Sequence, residues 1–235
     1  MDFYQRQKKY LKIAHRGYSE HYGDNNLVSF HKAMEYGFDM IEMDLQLTKD
    51  RHIVIYHDLY IHRTYIEDIT LEDAEHKYNM VSLRKFFDDV YSVHPNMKMN
   101  FDLKGNNVFL VDKLMSLLKR YRVKMKNVYI SSFNKKLVDL AYEYKVNKEF
   151  CFNIGFITCN VFNMDDLISL LNQVDFFVID FNTLNWETVF WCNQNNIQVF
   201  VYTNTDEFTY SNIMRFNIDG IISNSLLPDA GVSES

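Results

Sequence analysis

Two carboxylates stand near the end of an apolar run, with one residue between them. Glu42 and Asp44 follow Met40 and Ile41, so on a β-strand both carboxylates point to the same side. Two inward carboxylates repel each other, and such a pair is stable only if a cation neutralises it or its pKa values rise. Oxygen ligands favour a hard divalent ion, Mg²⁺ or Ca²⁺, and Mn²⁺ is also compatible. The spacing therefore predicts a divalent cation site.

A later apolar run repeats this arrangement with a change of charge. Asp102 and Lys104 follow Met99 to Phe101, again two residues apart. Asp102 offers a third carboxylate to the ion, and Lys104 places an ammonium group beside it. An anion would be stabilised between the ammonium group and the cation, and a phosphate meets that requirement.

Two histidines also follow apolar runs. His15 comes after Ile13 and Ala14, and His57 comes after Ile53 to Tyr56. An imidazole with an unperturbed pKa of about 6.5 suits general acid and base catalysis near neutral pH. Two imidazoles beside a metal-held phosphate indicate phosphodiester chemistry. The other histidines lack this context and are interpreted as surface or structural residues: His21, His31, His52, His62, His76 and His94.

The elements that position these residues are short apolar runs separated by amphipathic segments. Nine runs are strand candidates: 11–14, 40–45, 53–56, 97–103, 128–130, 150–154, 176–181, 198–202 and 220–222. Strands that alternate with helices predict parallel βαβ units, and the length of the chain suits one domain. A barrel needs eight strands, and the interval between Leu45 and Ile53 is too short for a helix, so a tight excursion is expected there. The active sites of this fold lie at the carboxyl ends of the strands, where the polar residues stand.

Length, charge and cysteine content limit the possible functions. The chain has 235 residues and a net charge of −6, which argues against a non-specific nucleic-acid binder. No apolar run reaches the roughly 20 residues of a membrane span, and no secretory signal is visible, so a cytoplasmic location without membrane insertion is expected. Three cysteines, an odd number without metal-site spacing, predict reduced and mostly buried thiols: Cys151, Cys159 and Cys192. The oligomeric state stays open.

At these positions the chain resembles the glycerophosphodiester phosphodiesterase family. The similar segments are H-R-G at 15–17, the stretch around E-x-D at 37–51, H-D at 57–58, D-L-K at 102–104 in place of E-x-K, S-F at 132–133, Y-T at 202–203 in place of W-T, and D-G-I-I-S-N at 219–224. Each motif alone is weak. Their joint order and spacing over nearly the whole chain are specific.

The resemblance implies a TIM (β/α)8 barrel over residues 1–228. The residues after Pro228, 229–235, are expected to form a flexible tail. The resemblance also implies the following roles: Glu42, Asp44 and Asp102 as metal ligands, His15 and His57 as acid and base, and Arg16 and Lys104 as phosphate contacts. In the scheme typical of the family, a glycerol hydroxyl attacks phosphorus, expels the head-group alcohol and leaves a cyclic phosphate that water opens. A small glycerophosphodiester is the implied substrate.

Two other interpretations stay open. A sphingomyelinase D-like lipid phosphodiesterase shares the two-histidine, Glu-x-Asp core and tends to have an Asp as third ligand. A barrel without catalysis, which only binds phosphodiesters, is also compatible with the fold. Three aromatic residues at strand ends, Phe133, Phe181 and Tyr202, are candidates for the substrate mouth or equally for the core.

Overall fold

A closed barrel of eight parallel strands forms the centre of the structure. The computed structural model describes residues 9–148 and 150–228. The strands are β1 (Leu11–Ala14), β2 (Met40–Leu47), β3 (Ile53–Ile55), β4 (Tyr60–Ile61), β5 (Thr64–Tyr65), β6 (Val81–Ser82), β7 (Lys98–Leu103), β8 (Val128–Ser132), β9 (Asn153–Thr158), β10 (Phe176–Asp180), β11 (Gln198–Asn204) and β12 (Gly220–Ser223). The barrel runs in the order β1, β2, β7, β8, β9, β10, β11 and β12, and β12 pairs with β1 to close it. The predicted TIM barrel is confirmed.

Helices cover the outside of the barrel. They are α1 (Ser19–Tyr22), α2 (Leu27–Glu35), α3 (Leu71–His76), α4 (Leu83–Phe86), α5 (Phe109–Arg120), α6 (Lys135–Lys148), α7 (Met164–Leu170), α8 (Trp186–Gln194) and α9 (Glu207–Ile213). Polar residues begin several of them by accepting a backbone N–H bond at the third helical residue, as Asn26 does for α2 and Asn185 for α8. The 3.6-residue apolar spacing of α5 buries one face of that helix against the strands.

The alternation of side chains along each strand divides the apolar residues into two cores. Odd and even positions point to opposite faces of the sheet, so Ile41, Met43 and Leu45 of β2 pack outward under the helices. The inward positions at the bottom of the barrel form a separate cluster: Ile13, Met40, Tyr129, Ile157, Phe176, Val178, Phe200 and Ile222. Above this apolar floor the inward positions become polar, which leaves a site at the carboxyl ends of the strands.

The surplus ninth strand candidate is an excursion outside the barrel. β3 pairs antiparallel with the upper half of β2 and then with β6, and β4 and β5 form a small separate hairpin. The tight turn at Thr48–His52 reverses the chain, with the amide of Thr48 donating to the carbonyl of His52. The predicted local excursion between Leu45 and Ile53 is therefore confirmed.

Two expectations from the sequence were wrong. The strand expected at 150–154 lies at Asn153–Thr158, because Phe150 stacks on Tyr144 of α6 and the strand continues through Gly155. The thiols expected to be mostly buried are buried only at Cys192. Cys151 and Cys159 are exposed because they lie in the segments before and after β9, outside both cores.

The predicted tail at 229–235 lies outside the described residues. Across 9–148 and 150–228, we find no helix with the length and apolarity needed to cross a bilayer.

Candidate active site

A cavity of about 140 Å³ opens at the carboxyl ends of the barrel strands. It brings together every residue that the sequence analysis named for the site except Phe181. Its lining is His15, Arg16, Glu42, Asp44, His57, Asn100, Asp102, Lys104, Phe133, Ile157, Val178, Tyr202, Thr203 and Ile222. By contrast, the six histidines interpreted as surface or structural residues do not line this cavity, and each of them is at least partly exposed.

The two carboxylates of β2 are buried on the inner face of the barrel. Glu42 accepts a hydrogen bond from the backbone amide of Arg16 at 3.0 Å, and Asp44 accepts one from the side-chain amide of Asn25 at 2.8 Å. Burial and the neighbouring charges of Asp44 and Asp102 raise the pKa of Glu42 well above its usual range. Burial also opposes ionisation of Asp44, but Lys104, Asn25 and Arg16 together hold the pKa of this carboxyl below its usual value. Glu42 therefore binds a proton more tightly than Asp44 does.

The residues of β7 complete the charged cluster. Lys104 Nζ lies 2.5 Å from Asp102 Oδ2 and 3.1 Å from Asp44 Oδ1, so it bridges neighbouring strands. Burial, partly offset by Lys104, raises the pKa of Asp102 to about 6. The Lys104 ammonium itself is stabilised in its charged form, because its carboxylate neighbours outweigh the opposing effect of burial and raise its pKa.

His15 is held by a neutral partner. Its Nδ1 lies 2.6 Å from Oδ1 of Asn224, which follows β12. An amide oxygen only accepts, so Nδ1 carries the proton and the neutral ring presents Nε2 as a lone pair. Burial and the positive charge of Arg16 lower the pKa of His15 below 6.5 despite the Asn224 bond, and the imidazole is therefore neutral at pH 7.

His57 is held by a charged partner. Its Nδ1 lies 2.7 Å from Oδ1 of Asp58, so this ring contacts a carboxylate where His15 contacts an amide. His57 was expected at the end of a barrel strand, whereas it follows β3, which runs antiparallel to β2. Because β3 returns along β2 until Tyr56 N donates to Asp44 O, His57 still reaches the barrel mouth.

Arg16 is the charged residue of the H-R-G turn. Its backbone is left-handed, with φ of 57°, and its guanidinium lies 2.8 Å from Asp24 and 3.3 Å from Asp44. Gly17 follows with φ of 84°, and a Cβ atom there would lie 2.4 Å from Ser29 Oγ. Glycine is therefore required for α2 to approach this turn.

Two aromatic side chains form one wall of the cavity. Phe133 and Tyr202 meet edge to face with ring centroids 6.1 Å apart, and the Tyr202 hydroxyl donates to the carbonyl of Thr158. The Lys104 ammonium lies 5.7 Å from the Phe133 ring. The third aromatic candidate, Phe181, packs against the outer core instead.

Several residues of the site were not assigned a role from the sequence. Asn224 and Asp58 stood inside quoted motifs and Asn25 stood in none, and nothing in the sequence shows which side chain each one contacts. Asn100 was missed, although it precedes Asp102 and Lys104 at the same two-residue spacing on β7. That period was the signal that could have identified it.

The carboxylates fit a divalent cation. Glu42, Asp44 and Asp102 each offer an oxygen, and these atoms lie within 4.8 Å of one another. Asp102 Oδ1 is buried without a hydrogen-bond partner, which is costly unless a cation compensates it. All-oxygen donors suit Mg²⁺, Ca²⁺ or Mn²⁺ and do not distinguish among them.

The chain is similar to proteins of one family across nearly its full length. The glycerophosphoryl diester phosphodiesterase family matches residues 15–227. A glycerophosphodiester phosphodiesterase from Caldanaerobacter subterraneus is 29% identical, over 92% of this chain and 94% of that protein. A human lysophospholipase D is 28% identical over 56% of this chain and 48% of its own length.

Solved structures show the same fold. The glycerophosphodiester phosphodiesterase of Thermotoga maritima superposes with a TM-score of 0.77 at 23% identity, covering 92% of this chain and 95% of its own. A phosphodiesterase of Oleispira antarctica, solved with its product sn-glycerol-3-phosphate, gives 0.79 at 20% identity, covering 92% and 93%. The family match extends over both histidines, all three carboxylates and Lys104. The chain therefore belongs to the glycerophosphoryl diester phosphodiesterase family and is a phosphoric diester hydrolase.

Proposed function

We propose that this chain hydrolyses small glycerophosphodiesters to glycerol 3-phosphate and an alcohol, using His15 as the first base and His57 as the first acid. The observation that carries the proposal is the difference between the two histidines. His15 is buried and bonded to a neutral amide, whereas His57 is bonded to a carboxylate at the same cavity. Two titratable groups in opposite environments are the usual basis for separate acid and base roles.

Glu42, Asp44 and Asp102 would hold a divalent cation, which when bound supplies positive charge to the phosphoryl oxygens. Arg16 and Lys104 would bind the same phosphate from the protein side, since both line the cavity and carry permanent charge. Phe133 and Tyr202 would shape the mouth around the substrate. We assign this catalytic unit to residues 1–228, with 229–235 as a tail.

In the first step the glycerol hydroxyl attacks phosphorus and gives its proton to His15 Nε2. The bond between phosphorus and the head-group oxygen breaks, and that oxygen takes a proton from His57 Nε2. The product is a cyclic phosphate and the free alcohol. In the second step water attacks phosphorus and gives its proton to His57, while His15 returns its proton to the ring oxygen that leaves.

A larger polar cavity adjoins the site and is a candidate for the head group. It measures about 760 Å³ and shares Arg16 and His57 with the catalytic cavity. Three carboxylates, Asp24, Asp58 and Glu75, line it against two cationic residues, Arg16 and Lys85, and this excess of negative charge favours a cationic alcohol such as choline or ethanolamine.

The three cysteines are free, which supports a reducing and thus cytoplasmic compartment.

Release of glycerol 3-phosphate from glycerophosphocholine and glycerophosphoethanolamine tests the activity, with Mg²⁺, Mn²⁺, Ca²⁺ or chelator. Lysophospholipid and sphingomyelin in parallel test the lipid alternative, which is supported by the exposure of Phe133 in the cavity wall. Activity confined to these lipids would replace the proposed substrate. Full activity in chelator would contradict the metal site.

The acid and base roles are tested with two leaving groups. His15→Ala and His57→Ala should each lower turnover of glycerophosphocholine by about 10² to 10⁴. A p-nitrophenyl ester of glycerol phosphate needs no proton on its leaving oxygen, so it should restore most of the loss in His57→Ala and little in His15→Ala. The reverse pattern would exchange the two assignments, and equal losses on both substrates would contradict separate roles.

A further inference from the structure

A third cavity lies on the outer flank of the barrel. It measures about 230 Å³ and is bounded by the turn before β3, the start of α4 and one face of α5. It shares no lining residue with the catalytic cavity. Any ligand bound here would therefore be distinguishable from a substrate.

The charge of this third cavity is opposite to that of the whole chain. Arg51, Arg84, Lys113 and Arg120 line it together with His52, and no carboxylate is among its lining residues. The chain as a whole has a net charge of −6. Four cations that converge on a concavity in an acidic protein create a local site for anions.

The four cations are not neutralised by ion pairs. Within residues 9–148 and 150–228, none of them lies within 4.0 Å of a carboxylate oxygen. Two carboxylates, Asp50 and Glu75, contact residues of the cavity wall, and the partners of both are groups other than the four cations. Asp50 accepts from Thr48 Oγ1 at 2.6 Å and from the amide of Leu71 at 3.0 Å, and its second oxygen lies 3.4 Å from His52 Nδ1. Glu75 accepts from Ser82 Oγ at 2.6 Å.

The cations are also placed on three different elements. Lys113 and Arg120 lie on α5 seven residues apart and so share one helix face. Arg84 lies in α4, and Arg51 lies in the turn before β3. The Arg51 guanidinium stacks 4.5 Å from the centre of the Phe109 ring, and this contact fixes the position of the side chain. The backbone of Arg51 has a left-handed φ of 61°, a conformation that favours glycine.

We propose that this cavity binds a compact phosphorylated anion, with pyrophosphate as its simplest example. Several phosphoryl oxygens can accept from cations that approach from different sides, and the guanidinium fork matches a phosphate better than a single carboxylate does. The phosphate could be free in solution or belong to a lipid head group. Both sources present the same oxygens to Arg84 and Lys113.

The test is calorimetric titration of the full chain with inorganic pyrophosphate in chelator. Arg84→Gln/Lys113→Gln should weaken binding about a hundredfold, because each of the two charged hydrogen bonds it removes contributes about one decade of affinity. The matched control is Lys126→Gln/Lys136→Gln, which removes the same charge from two exposed lysines outside the cavity and should leave affinity within about twofold. Circular dichroism checks that both double variants fold.

A third variant separates the two anion sites. Lys104→Met removes a phosphate contact of the catalytic cavity and should leave pyrophosphate binding intact. Binding that is lost in Lys104→Met but unchanged in Arg84→Gln/Lys113→Gln overturns the proposal, as does the absence of any binding to pyrophosphate or vesicles.

Vesicles of phosphatidylcholine with and without phosphatidic acid identify the source of the phosphate. If the protein sediments with the acidic vesicles and added pyrophosphate releases it, the site binds a lipid phosphate. Binding of pyrophosphate alone assigns it to a soluble anion.

Discussion

The two histidines of the site differ in the residue that each one contacts through Nδ1. Asn224 fixes the tautomer of His15 without adding charge, and burial together with Arg16 keeps that ring neutral. Asp58 adds a negative charge beside His57. In the proposed mechanism the base and the acid therefore differ by one amide and one carboxylate, and replacing the amide should change the protonation of His15.

Asn224→Asp should move the acid limb of the pH profile upward. The wild-type kcat/KM should fall only below about pH 6.5, because the pKa of His15 is lowered and the base is lost when it is protonated. A carboxylate in place of the Asn224 amide favours the imidazolium and should raise that pKa by about one unit or more. The profile of kcat/KM against pH measures the shift.

The matched control for this variant is Asn217→Asp, which adds the same charge at an exposed position away from the cavity. It should leave the acid limb in place. Equal shifts in both variants would mean that the limb reports net charge and not the contact with His15.

At the scale of elements, the β3 excursion determines whether His57 reaches the barrel mouth. Gln46 on β2 is buried, and its side-chain amide donates to the carbonyls of Tyr56 at 2.8 Å and of Asp58 at 2.7 Å. These two bonds hold the segment that carries His57 against the end of β2. Gln46 is thus a positioning residue, since it contacts the loop and does not line the cavity.

Gln46→Ala should lower kcat about tenfold or more while KM changes little. The His57 segment loses both bonds, and two carbonyls lose their donor, so the free energy of unfolding should also fall by about 1–3 kcal/mol. Steady-state kinetics on a p-nitrophenyl ester of glycerol phosphate provide the second readout. The leaving oxygen of this ester needs no proton, so restored turnover of the variant would locate the defect at His57. The control is Gln194→Ala at an exposed position of α8. A loss that is the same on both leaving groups would exclude a role through His57.

At the scale of the whole molecule, the buried charges of the barrel couple stability to pH and to cation binding. Burial raises the pKa of Glu42 and raises that of Asp102 to about 6, so the folded chain retains protons that the unfolded chain releases near pH 4. A folded state that binds more protons loses stability as pH rises through that window. A divalent cation binds the ionised form and opposes this loss.

In chelator, the melting temperature of the wild type should therefore fall as the pH rises from about 4 to about 6 and beyond. This fall should be larger than that of the Asp102→Asn variant over the same range. Added Mg²⁺ or Ca²⁺ should stabilise the wild type most at the upper end of this range, because ionised ligands are then available. Differential scanning calorimetry measures both effects. Asp102→Asn serves as the matched control, since it keeps the side-chain shape, removes the titration and should lose most of the response to the cation. A cation response that does not vary with pH would contradict the coupling.

The sequence alone predicted the barrel and placed the candidate site residues at strand ends, because strand periodicity and the order of the motifs agree. A period of two places Glu42 and Asp44 on one face of any strand, and the carboxyl ends of parallel strands must meet at one edge. The order of motifs then indicated the family. The same reasoning could not bound β9, since a strand can continue through Gly155 when a neighbouring ring, here Phe176, fills the space of the missing side chain.

Contacts between residues distant in the chain were decided only by the tertiary structure. His15 and Asn224 are 209 residues apart, and no local pattern identifies an amide that fixes a tautomer. His57 reaches the site through an antiparallel return along β2, whereas the sequence predicted that it follows a parallel barrel strand. The basic cavity joins a turn, α4 and α5, whose cations look like ordinary surface residues in sequence. Hydrogen bonds and charge pairs act over a few ångströms of space whatever the separation along the chain, and for this reason the fold and not the sequence assigned the partners.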